Sequence, residues 1–274
     1  MAYASKSDRA FMKQTNQYLV LQLIQGRGPI SRKEIARVSG LSPASVTGIT
    51  GELIARGLVR EVGAAAGGGR AGRRAVLLQL NPHAGFVVGV KLAVRTIACV
   101  LTDLDANVLH TAETPLHATD QVPAAPGAFL PDEMIPVTIH AIERLLAEAR
   151  IDRARLLGIG VGVNGIVDVE TGVSRLAPHF GWRDVPLAAP LAAHFGIPVL
   201  IENDARTLTI AEQWFGAGRG VDHFVTVVAG YGIGAGVVTN GQLYRGALGA
   251  AGEFGHIVVQ PDGQPCSCGR RGCL

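Results

Sequence analysis

Apolar residues recur along this chain with two different periods, and the change of period divides it. Over residues 18–56 the spacing is helical. Tyr18, Leu19, Leu21, Leu23 and Ile24 give a first helix its apolar side, which ends at Gly26, Gly28 and Pro29. Ser31, with Glu34 three residues later, has capping-box spacing. It starts a second helix that carries Ile35, Ala36 and Val38 and stops at Gly40. Ser42 as a cap and Pro43 at the first helical position open a third helix over 43–56, with Val46, Ile49, Leu53 and Ile54 on one side. Residues 58–62 and 75–80 read as two strands around a Gly-rich loop.

From Gly85 onward strands and helices alternate. The pattern predicts paired strands over 86–90 and 97–102 and a third over 107–113. An amphipathic helix follows over 133–150, with Ile139, Ile142, Leu145 and Leu146 on its apolar face. Buried strands are expected over 156–163 and 199–201 and a helix over 205–215. Strands over 224–229 and 236–239 flank a glycine turn. The Pro- and Ala-rich stretch 118–131 reads as an exposed loop. The fold class is α/β, with ligand loops expected at strand ends.

Composition adds a boundary. The 274 residues are enough for two domains, and a hydrophobic share of 48% permits a large core and excludes disorder over most of the length. Net charge is +3, unevenly spread: residues 1–80 hold 12 Lys/Arg against 4 Asp/Glu, and residues 81–274 hold 13 against 18. Two domains, 1–80 and 81–274, follow, a basic one on a more acidic body. Apolar runs stop short of the ~18 residues a membrane span needs, and no signal-peptide core follows the start. No membrane partner and a cytoplasmic location are therefore expected.

The basic segment has the layout of a winged helix-turn-helix: a short helix, a glycine turn, and a helix with small residues at its front. Ser42, Ala44, Ser45, Thr47 and Gly48 are small enough to bring the third helix into a major groove, where hydroxyls meet base edges or phosphates. Arg70, Arg73 and Arg74 in the loop would enter a minor groove or grip phosphates. A trihelical interaction module is the alternative; charge and geometry together favour DNA.

Four residues near the end carry candidate metal chemistry: His256-x9-Cys266-x-Cys268-x4-Cys273. Thiolate and imidazole are ligands zinc prefers, and four of them on a glycine-kinked loop can close a tetrahedral site. A closed set implies a structural Zn2+ with no open position for a catalytic water. Buried or oxidised cysteines are the alternative, although Cys266 and Cys268, one residue apart, are poorly placed to bridge each other.

Several stretches carry a family resemblance. Gly162-Val-Asn-Gly-Ile-Val-Asp168, Gly181-Trp182, Glu202-Asn-Asp-Ala205, Gly230-Tyr-Gly-Ile-Gly-Ala-Gly236 and Gly249-Ala-Ala-Gly-Glu-Phe-Gly-His256 stand in order ahead of the cysteines. The chain resembles the ROK family of repressors and sugar kinases, and its N-terminal domain is similar to that of the family's xylose- and N-acetylglucosamine-responsive repressors. The resemblance implies an actin-like, two-lobed domain with sugar bound by Asn203, Asp204, Glu253 and His256, groups that each pair with hydroxyls. Asn203 and Asp204 also suit a helix cap. Asn164 and His179 stand where family members often have Pro and Asn, which bears on sugar choice.

In a ROK kinase Asp204 would be the general base. Such kinases also carry an Asp-x-Gly-Gly-Thr-Lys loop for ATP and its metal. Here the stretch reads Lys91-Leu-Ala-Val-Arg-Thr96, so Asp204 is expected to be a vestigial base and the chain no enzyme. The glycine loop 230–236 persists but can be a tight β-turn. A sugar-responsive repressor of carbohydrate-utilisation genes is expected, a homodimer or homotetramer that binds operator DNA and a sugar effector. A sugar kinase with a fused DNA-binding domain, or a constitutive DNA binder, are the alternatives. By the resemblance, a sugar-contacting Glu and roughly a hundred more residues would follow Leu274, so an incomplete second lobe, as in a fragment, is expected.

Overall fold

The computed structural model describes residues 6–64, 75–116, 130–230, 232–266 and 268–274. It divides into two compact units, Met1–Gly85 with Asp103–Asn107, and Phe86–Thr102 with Val108–Leu274.

In the first unit α1 (Lys6–Arg27), β1 (Ile30–Ser31), α2 (Arg32–Ser39), α3 (Pro43–Ala55), β2 (Val59–Ala64) and β3 (Val76–Leu80) follow one another. The strands form an antiparallel sheet in the order β1-β3-β2. Val20, Ile24, Ile35, Val46, Leu53, Val59 and Leu78 close the core. The first helix buries Val20 and Ile24, one turn apart, while Tyr18 is 55% exposed. The apolar run from Tyr18 to Ile24 is too continuous for periodicity to choose the face. Both expected caps form: Ser31 Oγ accepts the Glu34 N–H at 3.2 Å and Ser42 Oγ the Ser45 N–H at 3.1 Å. Only half of the capping box closes, because Arg37 takes the Glu34 carboxylate with bonds of 2.9 and 2.6 Å.

The second unit is built on a five-stranded sheet ordered β11-β7-β4-β5-β6. Its strands are β4 (Phe86–Leu92), β5 (Thr96–Thr102), β6 (Val108–Pro115), β7 (Leu156–Val163) and β11 (Val199–Asn203). β4, β7 and β11 run parallel, while β5 and β6 pair antiparallel. Parallel neighbours need crossovers. α4 (Pro131–Glu148) supplies one, packed on β5 and β6, and α5 (Ala188–Phe195) precedes β11. Val88, Val90, Leu101, Ile142, Leu145, Val161 and Ile201 make the core. A meander of β8 (Ile166–Asp168), β9 (Val173–Ala177) and β10 (Trp182–Pro186) lies between β7 and α5. It was not legible in the sequence, because three- to five-residue strands show too little periodicity. Residues 117–129, most of the expected loop over 118–131, lie outside the described residues.

α6 (Asp204–Phe215) is followed by a third sheet of β12 (Phe224–Ala229), β13 (Ile233–Thr239) and β14 (Gln242–Tyr244). Of the glycine-rich stretch 230–236, residues 233–236 are strand. Gly236 lies in β13, under α6. A Cβ there would stand 2.0 Å from Thr209 Oγ1, and Thr209 is fully buried. Its glycine permits close helix-on-strand packing rather than ligand approach.

Gly236→Ala is expected to lower the stability of the second unit by about 1–3 kcal/mol, since a β-branched, buried neighbour cannot yield; urea unfolding would measure it. Ser42→Ala removes the cap of α3 and should cost about 1 kcal/mol in the first unit, read from that unit's own urea transition.

Candidate DNA, effector and metal sites

α3 buries Val46, Ile49, Thr50 and Leu53 and leaves Ser42, Ala44, Ser45, Thr47 and Gly48 exposed together. The hydroxyls of Ser42 and Ser45 lie 2.9 Å apart, and Thr47 donates to the Pro43 carbonyl at 2.8 Å. Each hydroxyl keeps lone pairs for an incoming donor. Arg32 was not anticipated: its Nε donates to buried Thr50 at 3.0 Å and its Nη2 to Glu61 at 2.9 Å, joining α2, α3 and β2. Arg70, Arg73 and Arg74 lie outside the described residues.

In the second unit Asn203 ends β11 and caps α6. Its Oδ1 accepts the N–H groups of Ala205 and Arg206 at 3.0 and 3.1 Å, and its Nδ2 donates to the Gly165 carbonyl at 3.0 Å. The side chain therefore has a structural duty, and one amide hydrogen is left for a ligand. Asp204 is half-buried at the first position of α6. Asn164, beside Gly165, buries its Oδ1 without a partner, while His179 is exposed between β9 and β10. Glu253 is exposed at the entry to a one-turn helix, Phe254–His256, and its carboxylate takes no part in capping it.

His256, Cys266, Cys268 and Cys273 converge, one ligand atom from each lying within 4.8 Å of the others. Cys266 Sγ is 3.4 Å from His256 Nδ1, and Cys268 Sγ is 3.7 Å from Cys273 Sγ. Tetrahedral zinc bonds to sulfur and nitrogen imply edges of about 3.8 Å and about 3.5 Å, so the donor set fits such an ion. The thiols are unbonded. Backbone ties shape the knuckle: Cys266 N–H donates to Arg270 O at 2.8 Å and Gly269 N–H to Cys266 O at 3.0 Å. Gly272 has φ 67°, and a Cβ on it would meet the Gln260 carbonyl at 1.4 Å, so only glycine closes the loop. The Cys268 backbone N–H holds the Cys266 thiol down to about 6, whereas burial pushes Cys273 up to about 11. Ionised Cys266 and Cys273 would repel each other here, and a bound cation would offset that repulsion.

A buried ionic cluster beside these groups was missed in the sequence. Glu202, 9% exposed, accepts from Arg206 Nε and Arg245 Nε, each at 2.8 Å. Arg206, 1% exposed, donates through Nη1 to the Gly249 and Ala251 carbonyls at 2.7 and 3.4 Å. Among the described residues no hydrogen bond joins Asn203 or Asp204 directly to Glu253 or His256; Arg206 supplies the link between their segments. An i,i+4 Glu–Arg pair was the one available signal, and it resembles an ordinary exposed helix pair.

The segment 91–96, expected from the sequence to stand at the position of a kinase phosphate loop, is a tight hairpin. Lys91 lies near the end of β4, and the Ala93 N–H donates to Thr96 O at 3.0 Å. A cavity of about 750 Å³ beside the sheet is lined by Lys91, Glu202, Thr207 and Arg245 among apolar residues such as Val100 and Leu200. None of the four proposed sugar ligands lines it, so it is not the expected grip. No described helix is long and apolar enough to cross a membrane.

The ROK family matches residues 87–274 and the MarR family residues 13–71. The chain is 33% identical over 267 residues to the xylose repressor of Bacillus subtilis, covering 97% of this chain and 66% of that protein. It is 34% identical to the xylose repressor of Caldicellulosiruptor bescii, covering 97% and 64%. It is 35% identical over 263 residues to the N-acetylglucosamine repressor of Escherichia coli O157:H7, covering 96% and 62%. The chain thus spans about two thirds or less of the length of these relatives. Among solved structures, a ROK family transcriptional regulator homologous to the E. coli MLC protein aligns with TM-score 0.78 and 32% identity over 96% of this chain and 63% of that one. A ROK glucokinase of Streptomyces griseus, in complex with glucose and AMPPNP, aligns with TM-score 0.56 and 33% identity over 69% and 55%. The fold is accordingly a MarR-like winged helix-turn-helix followed by an actin-like domain of the ROK sugar-kinase type.

Cys268→Ser removes one corner of the four-donor cluster. Purified parent protein is expected to carry about one equivalent of zinc, and the variant much less, by elemental analysis; equal content in both would remove Cys268 from the ligand set.

Proposed function

The chain belongs to the ROK family, and on that premise we propose that it is a sugar-responsive, DNA-binding transcription regulator, a repressor of carbohydrate-utilisation genes. The observation that carries the reading is the pairing, on one chain, of a winged unit with a bare, small-residue face on α3 and a sugar-kinase-type unit whose phosphate-loop position holds Lys91. Relatives named as repressors of xylose and N-acetylglucosamine systems support it.

In this reading Ser42, Ala44, Ser45, Thr47 and Gly48 enter the major groove, and Arg70, Arg73 and Arg74 reach phosphates or the minor groove. Operators of such proteins are near-palindromic, so the working form is a homodimer or homotetramer in the cytoplasm. Asn203, Asp204, Glu253 and His256 hold the sugar effector. A zinc ion bound by His256, Cys266, Cys268 and Cys273 supplies a closed structural centre and no chemistry of its own. With Nδ1 of His256 facing Cys266, Nε2 is the nitrogen left for a sugar hydroxyl, and metal ligation would fix the ring orientation.

Phosphoryl transfer needs a loop that admits phosphate to backbone N–H groups and an acid to hold the metal. Lys91, Ala93, Val94 and Arg95 supply neither, so Asp204 keeps a hydroxyl-binding role without a proton-transfer partner reaction. A sugar can release DNA only by binding two states unequally; a 100-fold change needs about 2.7 kcal/mol of coupling.

The test is fluorescence anisotropy of DNA from upstream of the protein's own gene at fixed salt, with D-xylose, D-glucose and N-acetylglucosamine added in turn. One sugar is expected to alter affinity, and Glu253→Ala to retain DNA binding while losing that response. A Glu253→Ala variant that responds normally would contradict the site assignment, and ATP-dependent phosphorylation of any of these sugars would favour the kinase instead.

A further inference from the structure

We propose that Glu202, Arg206 and Arg245 form a clamp that fixes segment 245–252, and with it Glu253 and His256, relative to the N-terminal end of α6. Arg206 and Arg245 are thereby positioning residues for the effector site, a role that rests on the sugar-binding reading above.

The hydrogen bonds converge on Glu202 and Arg206. Glu202 has both carboxylate oxygens occupied: Oε1 accepts Arg206 Nε and the Asn203 N–H at 2.8 and 2.9 Å, and Oε2 accepts Arg245 Nε at 2.8 Å. Arg206 then spans from α6 to the Gly249 and Ala251 carbonyls. The segment is also tied to itself and to β13, by Ala251 N–H to Arg245 O at 3.1 Å and Ala235 N–H to Gly252 O at 2.9 Å. The segments that Arg206 joins lead into the two halves of the proposed grip. Asn203 and Asp204 stand three and two positions before it, and Glu253 stands four and two positions after the carbonyls it holds.

Electrostatics explains why the segment stays in place. A guanidinium cannot lose its charge in a protein, and a buried one needs acceptors on every side. Two guanidinium groups share one carboxylate here, so the cluster carries one excess positive charge. The Gly249 and Ala251 carbonyl dipoles face it. Arg206 Nη2 is already buried without a partner, so withdrawal of those carbonyls would strand a second donor group. Lysine cannot substitute, because a single ammonium does not reproduce the planar fork that reaches a carboxylate and a carbonyl at once.

The experiment uses the full chain with Arg206→Lys and, because Arg206 is buried, the half-exposed Arg245→Gln as a second variant. Hydrogen exchange of the backbone amides over 249–256 reads the clamp, and calorimetric titration with D-xylose, D-glucose and N-acetylglucosamine reads positioning, with zinc content and DNA affinity measured alongside. Exchange over 249–256 is expected to quicken about tenfold or more in both variants, and affinity for the sugar that the parent binds to weaken about tenfold or more, with zinc and DNA affinity kept. Unchanged exchange in both variants would overturn the clamp. Faster exchange with parental sugar affinity would overturn the positioning role. Faster exchange in a protein whose parent binds none of the three sugars would uphold the clamp and count against the sugar reading instead.

Discussion

A fully charged arginine buried to 1% exposure tolerates little rearrangement, and the end of the second unit is organised around that demand. Glu202 must sit beneath it, which fixes the last residue but one of β11. The Gly249 and Ala251 carbonyls turn toward it, which fixes the approach to the candidate metal loop. Desolvating such a charge costs several kcal/mol, and Nη2 is left without a partner, so the cluster restricts geometry more than it adds stability. A second constraint lies just beyond, where three thiols and an imidazole crowd within 4.8 Å. A cation held there would relieve the repulsion between ionised thiols.

Much of the fold was legible because local chemistry and tertiary structure agree. Ser31 and Ser42 are real caps, and both helices they open start where the sequence places them. The parallel strands β7 and β11 read clearly because their runs are almost wholly apolar, although Leu157 and Leu200 stay 41% and 64% exposed. The meander β8–β10 and helix α5 did not, since α5 has no side-chain cap and carries Pro190 in its first turn. In α1 the apolar residues are too dense for periodicity to reveal that Val20, and not Tyr18, faces inward.

Legibility of the candidate sites follows the same division. The cysteine cluster was readable because its ligands lie within eighteen residues and their identity is itself chemical information. The exposed face of α3 was readable because small residues interleave with Val46, Ile49 and Leu53. For Asn203, helix capping and ligand binding competed as readings; the cap is present, and it leaves one donor hydrogen over. The Glu202 cluster was hidden, because its partners stand 43 to 45 positions apart in pairs such as Arg245 with Glu202 and Arg206 with Ala251. Nothing local marks Arg206 as buried. The central functional reading joins these parts: a sugar grip whose His256 is oriented by metal and whose Glu253 is carried by a clamped loop, on a chain that also bears a DNA-reading helix.

The most direct test of that reading is to strip the metal with a chelator and titrate the three sugars calorimetrically into metal-free, zinc-restored and untreated protein, with DNA binding followed on the same samples. Sugar binding is expected to be lost on stripping and to return with zinc, while DNA binding persists throughout. Sugar affinity that is unchanged in the metal-free protein would contradict it, because the metal loop would then have no part in holding the effector.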